Sequence, residues 1–273
     1  VLTNCVSCVP SLKGMKGAPS PASTGISAAA ATVVSGATLS LLNDTNRLFV
    51  GTATKLYEAN STAFADVSRS VAYNAAAATP WRFAQQGNVS FASNQGDTIQ
   101  ASVSTGPFSC IAGAPMASFV EVVDQFVFGA YTNDATYGSS PDRWWCSALG
   151  DYTIWAPSIA NQSATGRLLS AVGPITGIRK YGQGLIIYKR RSMFLGIYIG
   201  PPVIWAFQHL GGEIGAQSHE AIANIGVPDN PKHIFMGADN FYIFEGTKPT
   251  PIGSNKVREQ VFGSLIDTRY ASC

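Results

Sequence analysis

The chain from Leu185 to Leu210 contains three short apolar segments separated by two turns. The segments are rich in aromatic and β-branched residues, which fit a pleated, half-buried surface, and Gly and Pro mark one of the corners. Three strands within about 26 residues predict an antiparallel meander, which is only marginally stable unless it packs against similar units. The predicted strands are Leu185–Lys189, Met193–Ile199 and Val203–Gln208, with turns at Lys189–Ser192 and Gly200–Pro202.

The same pattern of an apolar strand, a tight polar turn and another apolar strand recurs along the chain. The intervals between the central apolar residues run from 37 to 59 residues, around the roughly 40 to 50 residues of a four-stranded propeller blade. Short strands in recurring blocks with little helix between them favour radial repetition. We therefore predict an all-β chain, a β-propeller of about five blade-like units; the alternative is an irregular β-sandwich with similar hairpins. The central residues are Phe49, Phe91, Phe128, Ile187 and Phe235.

The ends of the chain differ from this repeating part. Residues 1–40 are rich in Gly, Ala, Ser and Pro and predict an extended N-terminal segment, with a strand at Ser27–Ala37. Residues 41–253 form the predicted propeller. Residues 254–273 predict one short C-terminal helix and a tail, because Ser254 is a suitable N-cap and the apolar residues after it have helical spacing. The chain starts at Val1 and stops soon after this helix, so we expect that one or both ends of a longer product are missing.

The charge content narrows the possible functions. Charged residues make up only 12% of the chain and the net charge is +2, which argues against a dedicated basic nucleic-acid binder. A surface poor in charge suits a protein whose surface is hidden in an assembly. The apolar run Met193–Phe207 is interrupted by two prolines and is too short to span a bilayer, so no membrane span is predicted.

No motif predicts a catalytic centre, a metal site or a cofactor. The five cysteines are odd in number, and Cys5-x-x-Cys8 resembles half a zinc site without a second pair, so free thiols are expected. A glycosidase would need two carboxylates across a cleft, and a glycan-binding protein would need an exposed aromatic surface, for which Trp144 or Trp145 is the candidate. The carboxylates considered are Asp97, Asp124, Asp151, Glu213, Asp239 and Glu245.

The strongest local charge feature is basic. Lys189, Arg190 and Arg191 occupy the turn between two predicted strands, and Arg179 and Lys180 precede them by a few residues. These five cations are either a solvated corner or a patch that contacts an acidic partner or a nucleic-acid backbone. Backbone contacts of this kind position nucleic acid without reading its sequence.

Six motifs between residues 45 and 262 together resemble a tail protein of short-tailed bacteriophages and prophages. The most specific one is HIFMGADNFYIFEGTKPTPIG at 233–253, followed by the predicted helix. The others are GTATKLYEAN with FADVSRS, WRFAQQGNVSFASNQGDTIQ, IAGAPMASFVEVVDQFVFGA, RWWCSALGDYTIW and GLIIYKRRSMFLGIYIG.

This resemblance implies a tail hub or nozzle: a β-propeller that forms a homohexameric ring below the portal and adaptor and surrounds the DNA exit channel. The implied location is the virion tail, assembled in the cytoplasm of a host bacterium. Phage DNA would pass without sequence readout, and tail fibres or spikes are further implied partners. The resemblance implies neither a catalytic residue nor a cofactor, and it assigns no role to the five basic residues.

Overall fold

The computed structural model describes residues 8–11, 14–17, 25–76, 79–253 and 255–264, with the side chains of 8–16 and of Asn255 excepted. Five four-stranded antiparallel sheets account for most of this part of the chain. A two-stranded hairpin of β1 (Cys8–Ser11) and β2 (Gly14–Gly17) precedes them, and one helix, α1 (Asn255–Phe262), follows them.

Each sheet is a meander whose four strands follow chain order. Blade 1 holds β3 (Ser35–Ser40), β4 (Asn46–Gly51), β5 (Leu56–Ala59) and β6 (Phe64–Asp66). Blade 2 holds β7 (Arg82–Gln86), β8 (Val89–Ser93), β9 (Gln100–Val103) and β10 (Ser109–Cys110). Blade 3 holds β11 (Met116–Val123), β12 (Phe126–Asp134), β13 (Gly138–Cys146) and β14 (Ala164–Arg167). Blade 4 holds β15 (Ile175–Tyr181), β16 (Gly184–Lys189), β17 (Ser192–Gly200) and β18 (Ile204–Leu210). Blade 5 holds β19 (Ile222–Asn224), β20 (His233–Met236), β21 (Phe241–Phe244) and β22 (Thr250–Pro251).

The first strands of successive blades lie side by side: β3 contacts β7, β7 contacts β11, β11 contacts β15, and β15 contacts β19. These strands are therefore the inner strands of a ring, and the chain is a five-bladed β-propeller. The turns that join first to second strands lie on one face of the ring, called here the first-turn face. The turns that join second to third strands, and the linkers between blades, lie on the opposite face, called the linker face.

Blade 4 packs between blades 3 and 5, so the side chains on both faces of its strand β16 are buried. On β16, Leu185 and Ile187 pack in an apolar cluster shared with blade 3. Ile186 and Tyr188 point the other way, into a cluster shared with blade 5, because successive side chains of a strand face opposite sides of the sheet. A strand buried on both faces reads as a continuous apolar run, as this sequence does.

The predicted central residue of every unit lies on the second strand of its blade and is completely buried, and it packs among other buried residues in the inter-blade clusters. Four such clusters lie between blades 1 and 2, 2 and 3, 3 and 4, and 4 and 5. Full burial of each large apolar side chain contributes about 1.5–3 kcal/mol. These clusters therefore supply the main stabilisation of the ring, and the predicted propeller is confirmed. The five buried residues are Phe49, Phe91, Phe128, Ile187 and Phe235.

Three details differ from the sequence prediction. The first strand of blade 1 is Ser35–Ser40, not Ser27–Ala37, so it lies inside the segment 1–40 that was predicted to be extended. Residues 151–155, DYTIW, alternate polar and apolar residues as a short strand would, but they form turns and coil within the long connection between β13 and β14. Blade 2 also has a short outer strand, Ser109–Cys110, that the pattern did not predict.

The predicted C-terminal helix is present, and its last residue, Phe262, packs edge-on against Phe241 of blade 5 with ring centroids 5.6 Å apart. Ser254, its predicted N-cap, lies outside the described residues. In the part of the chain that the structure describes, no helix has the length and apolarity needed to cross a membrane.

Candidate partner and nucleic-acid interface

Lys189, predicted as part of a solvated basic corner, is buried with 1% of its surface exposed. Its ammonium group donates hydrogen bonds to the carbonyl oxygens of Leu168, at 2.7 Å, and Ala171, at 2.6 Å. Both carbonyls belong to the linker between blades 3 and 4. Burial lowers the pKa of the Lys189 ammonium group. The interpretation of Lys189 as a surface contact residue is therefore wrong, because the side chain fastens the linker to blade 4.

Arg190 and Arg191 are exposed at the β16–β17 turn, on the linker face. Arg191 Nη2 lies 2.5 Å from Glu213 Oε2 in the linker to blade 5, and both side chains are largely exposed. Such a surface pair contributes about 0–1 kcal/mol and is readily exchanged for another anion. These two arginines are the members of the predicted set that remain available to a partner on this face.

Arg179 and Lys180 lie at the other end of blade 4. Lys180 pairs with Leu185 next to the β15–β16 turn, whereas Lys189 pairs with Ile175 at the opposite end of the sheet. At about 3.3 Å per residue along a strand, the two lysine backbones are roughly 15 Å apart. The five basic residues therefore do not form one patch.

Arg179 points toward the centre of the ring. Its guanidinium donates to the carbonyl oxygens of Ile222 and His219, each at 3.3 Å. Its Nη1 also lies 3.9 Å from Oε2 of Glu121 on β11. Burial raises the pKa of the Glu121 carboxyl, and the charge of Arg179 opposes this only in part. Arg179 thus joins the inner strands of three blades.

A second charged group at the centre was not predicted from the sequence. Arg82 of β7 binds Glu220, just before β19, at 2.8 Å, and its guanidinium carbon lies 4.5 Å from the ring centre of Phe119 on β11. The ring of Phe119 in turn packs against that of His219, with ring centroids 5.2 Å apart. Side chains from blades 2, 3 and 4 therefore meet the linker to blade 5 at the axis. We call Arg82, Phe119, Glu121, Arg179, His219 and Glu220 the axial cluster.

Lys180 lines a pocket of about 340 Å³ on the first-turn face. Asp124 and Asp229 contribute carboxylates to it, and Asn224 contributes an amide. Asp124 has a φ of 53°, in the left-handed region that non-glycine residues adopt uncommonly. Lys180 thus shares this pocket with two carboxylates, which makes it a poorer contact for a polyanion than Arg190 or Arg191.

The tryptophans do not supply the exposed stacking surface that was considered for glycan binding. Trp144 and Trp145 are both buried, so neither is exposed as had been predicted for one of them. Trp205 is buried in the apolar cluster between blades 3 and 4. The two remaining tryptophans, Trp81 and Trp155, are buried as well.

The candidate carboxylates are distributed over different parts of the ring and most have structural partners. Asp97 binds Arg69 in blade 2, and Glu245 binds Lys232 in blade 5. Glu213 pairs with Arg191, Asp239 accepts a hydrogen bond from Tyr242 at 2.8 Å, and Asp151 accepts one from Thr153 at 2.6 Å. Within the described residues, no group of three or more His, Cys, Asp or Glu is arranged to hold a metal ion. Cys5, half of the zinc-like pair, lies outside those residues.

No protein-family model matches the chain, and no curated protein matches it. Among solved structures, the chain is similar to BBS1N, solved in complex with ARL6DN, at 8% identity and a TM-score of 0.47. It is also similar to the N-terminal domain of Nup159, at 11% identity and a TM-score of 0.43. The alignments cover 76% of this chain in both cases, but only 63% and 60% of those two chains. The chain thus spans about three fifths of their length.

A third similar structure is the dihydro-haem d1 dehydrogenase NirN, at 10% identity and a TM-score of 0.42, with 76% of this chain and 42% of that chain covered. One of these three proteins is an enzyme, and another was solved in complex with a partner. The similarities concern the fold alone, and no activity or partner is transferred from them.

Proposed function

We propose that the chain is a structural protein of a short-tailed phage tail, a nozzle or hub propeller that surrounds the DNA exit channel as one subunit of a homohexameric ring. The proposal rests on the motifs of residues 45–262, which resemble such proteins in order and spacing. The observation that supports it best is where these motifs lie. The most specific one, at 233–253, comprises the β20–β21 hairpin and β22, so it corresponds to three strands of blade 5.

The filled axis of the propeller constrains how such a protein would conduct DNA. The axial cluster joins side chains of opposite blades through contacts of 2.8 to 5.2 Å, which leaves no duplex-sized passage at that level. B-form DNA is at least about 16 Å across, judged from groove depths of roughly 8 Å on either side of its axis. The channel would therefore be enclosed between subunits of a ring, with the portal, adaptor and tail fibres or spikes as its neighbours.

Within this proposal, Arg190 and Arg191 are the residues that contact the DNA backbone or an acidic neighbour. They are exposed on the linker face, and Arg191 is held only by a surface pair with Glu213. Lys189 has no part in this contact, because its buried ammonium group donates hydrogen bonds to two backbone carbonyl oxygens. Lys180 has none either, because it lies on the opposite face in a pocket that Asp124 and Asp229 also line.

The proposal is tested by phage carrying Arg190→Ser with Arg191→Ser, compared with phage carrying Lys180→Ser as the matched control on the other face. The double variant should assemble and fold normally but lose packaged DNA or eject it inefficiently, whereas the control should behave as wild type. Normal DNA retention, ejection and infectivity in the double variant would rule out the assigned contact.

Glycan binding at the host surface and glycoside hydrolysis are the alternative functions. The first would place a sugar on the pocket around Lys180, since the tryptophans are buried. A glycan array on the purified chain tests it, and binding that Asp229→Asn abolishes would favour this alternative over the structural one.

A further inference from the structure

Cys110 lies in a setting that differs from that of the other described cysteine. It is exposed on β10, the outer strand of blade 2, whereas Cys146 is buried. The sulfur of Cys110 accepts a hydrogen bond from Nη1 of Arg69 at 2.9 Å and another from Nε2 of Gln100 at 3.4 Å. Gln100 is the residue directly opposite Cys110 on the neighbouring strand, which explains why its amide meets the sulfur.

Other hydrogen bonds hold the guanidinium of Arg69 in place beside the sulfur. Nε donates to the carbonyl of Val71 at 3.0 Å, and Nη2 donates to the carbonyl of Ala72 and to Asp97. The Asp97 carboxylate is itself held by the backbone N–H of Asn74 at 2.8 Å. Because a fixed cation loses little freedom when the thiol ionises, this arrangement stabilises a thiolate more than a mobile surface arginine would.

The amide of Gln100 provides a second, independent observation. Gln100 is fully buried, and its Nε2 is committed to the carbonyl of Thr98 at 2.6 Å as well as to the sulfur. Its Oε1 has no hydrogen-bond partner among the described residues. A buried acceptor without a donor is costly. The amide therefore offers an acceptor to any group with an O–H that becomes attached to the neighbouring sulfur.

The thiol is open to small reagents, because Cys110 is exposed on the outer strand of its blade. The charged and titratable groups near the sulfur are Arg69, Asp97 and Tyr73, whose ring lies under the Arg69 guanidinium at 4.6 Å.

We infer that Cys110 is a reactive thiolate and a modification site for hydrogen peroxide and other small soft electrophiles. The sulfur lone pair attacks one peroxide oxygen, an S–O bond forms, the O–O bond breaks, and hydroxide leaves and takes a proton from solvent. The sulfur is oxidised by two electrons to a sulfenic acid and the peroxide is reduced to water. The new S–O–H group is a donor of the kind that Gln100 Oε1 lacks.

The acid–base balance of the thiol agrees with this inference. Burial alone would raise the pKa of Cys110, but hydrogen bonds from Gln100, Arg69 and Thr98, together with the charge of Arg69, outweigh burial and lower it. Burial raises the pKa of Cys146 to about 12. The same chain therefore carries an internal control that stays protonated and unreactive.

The test is the rate of alkylation by iodoacetamide as a function of pH, read for each cysteine separately by mass spectrometry of peptides from the full chain. The pH at which Cys110 reaches half its maximal alkylation rate should lie below the ordinary thiol pKa of 9.0, and Cys146 should stay unmodified. Peroxide followed by dimedone should label Cys110. A Cys110 midpoint at or above 9.0, or labelling no faster than that of Cys146, would overturn the inference.

A pair of variants tests the role of the arginine. Arg69→Met should move the Cys110 midpoint upward and slow alkylation at neutral pH, by about tenfold for each unit of the shift. Arg167→Met, which removes an arginine bound to Asp142 in blade 3, should leave the midpoint unchanged. An unchanged midpoint in folded Arg69→Met protein would refute the part assigned to Arg69; if that variant does not fold, the wild-type profile decides alone.

Discussion

Replacing Lys189 by Met removes the ammonium group but keeps most of the apolar stem. Two carbonyl oxygens lose their donor. The Leu168 carbonyl is buried and stays unpaired, at a cost of about 1–3 kcal/mol, whereas the partly exposed Ala171 carbonyl can be hydrated at a smaller cost. Against this, the ammonium no longer has to be desolvated, and burial already lowers its pKa. The balance is a loss of about 2 kcal/mol in the free energy of unfolding.

The assay is equilibrium unfolding in urea, followed by circular dichroism and tryptophan fluorescence together. Arg190→Met, one residue further along and exposed, is the matched control and should stay within about 0.5 kcal/mol of wild type. If Lys189→Met proves as harmless as Arg190→Met, Lys189 is a solvated corner residue after all, and its assignment as a structural anchor fails.

Three further predictions concern the linker, a buried histidine and the tryptophans. Gly215→Ala should destabilise the fold by about 1–3 kcal/mol, because an added Cβ would lie 2.0 Å from the Lys189 carbonyl oxygen. Gly211→Ala is the control and should be neutral, because its Cβ would meet no atom within 4 Å. Equal thermal unfolding temperatures of the two variants would contradict this prediction. Burial lowers the pKa of His233 from 6.5 to about 4. As the pH falls, the unfolded chain therefore binds a proton at His233 before the folded chain does. This difference lowers the free energy of unfolding by about 3 kcal/mol between pH 6.5 and pH 4 and has no effect at higher pH. His233→Gln should flatten the pH dependence of urea unfolding in that window, and an unchanged slope would refute it. Acrylamide should quench the fluorescence of the folded chain only weakly, because all five tryptophans are buried; quenching as strong as in urea would contradict that burial.

The architecture of the ring was predictable because blade strands carry local signals. Leu185–Lys189 and Met193–Ile199 match β16 and β17 to within one residue at each end. The apolar runs are continuous since both faces of each blade are buried, and polar or Gly/Pro turns separate them. Ser109–Cys110 was missed because two residues give no periodicity, and its pairing with β9 is a tertiary effect.

The roles of individual charged side chains were much less predictable. Lys189 precedes two exposed arginines, so its sequence context indicates solvent, yet its partners lie 18 and 21 residues earlier in the linker. Arg82 and Glu220 meet across the axis although 138 residues separate them. A long-range partner leaves no trace in local spacing, and only the radial arrangement of the blades brings such groups together.

The most direct test of the proposed function is to purify the phage particles made by a host that carries this gene and to image the tail by electron microscopy, with mass spectrometry of the same particles. We predict that the chain is found among the virion proteins, with its five-bladed propellers in a ring around the tail channel. A chain that is absent from purified particles and monomeric in solution would contradict the proposal.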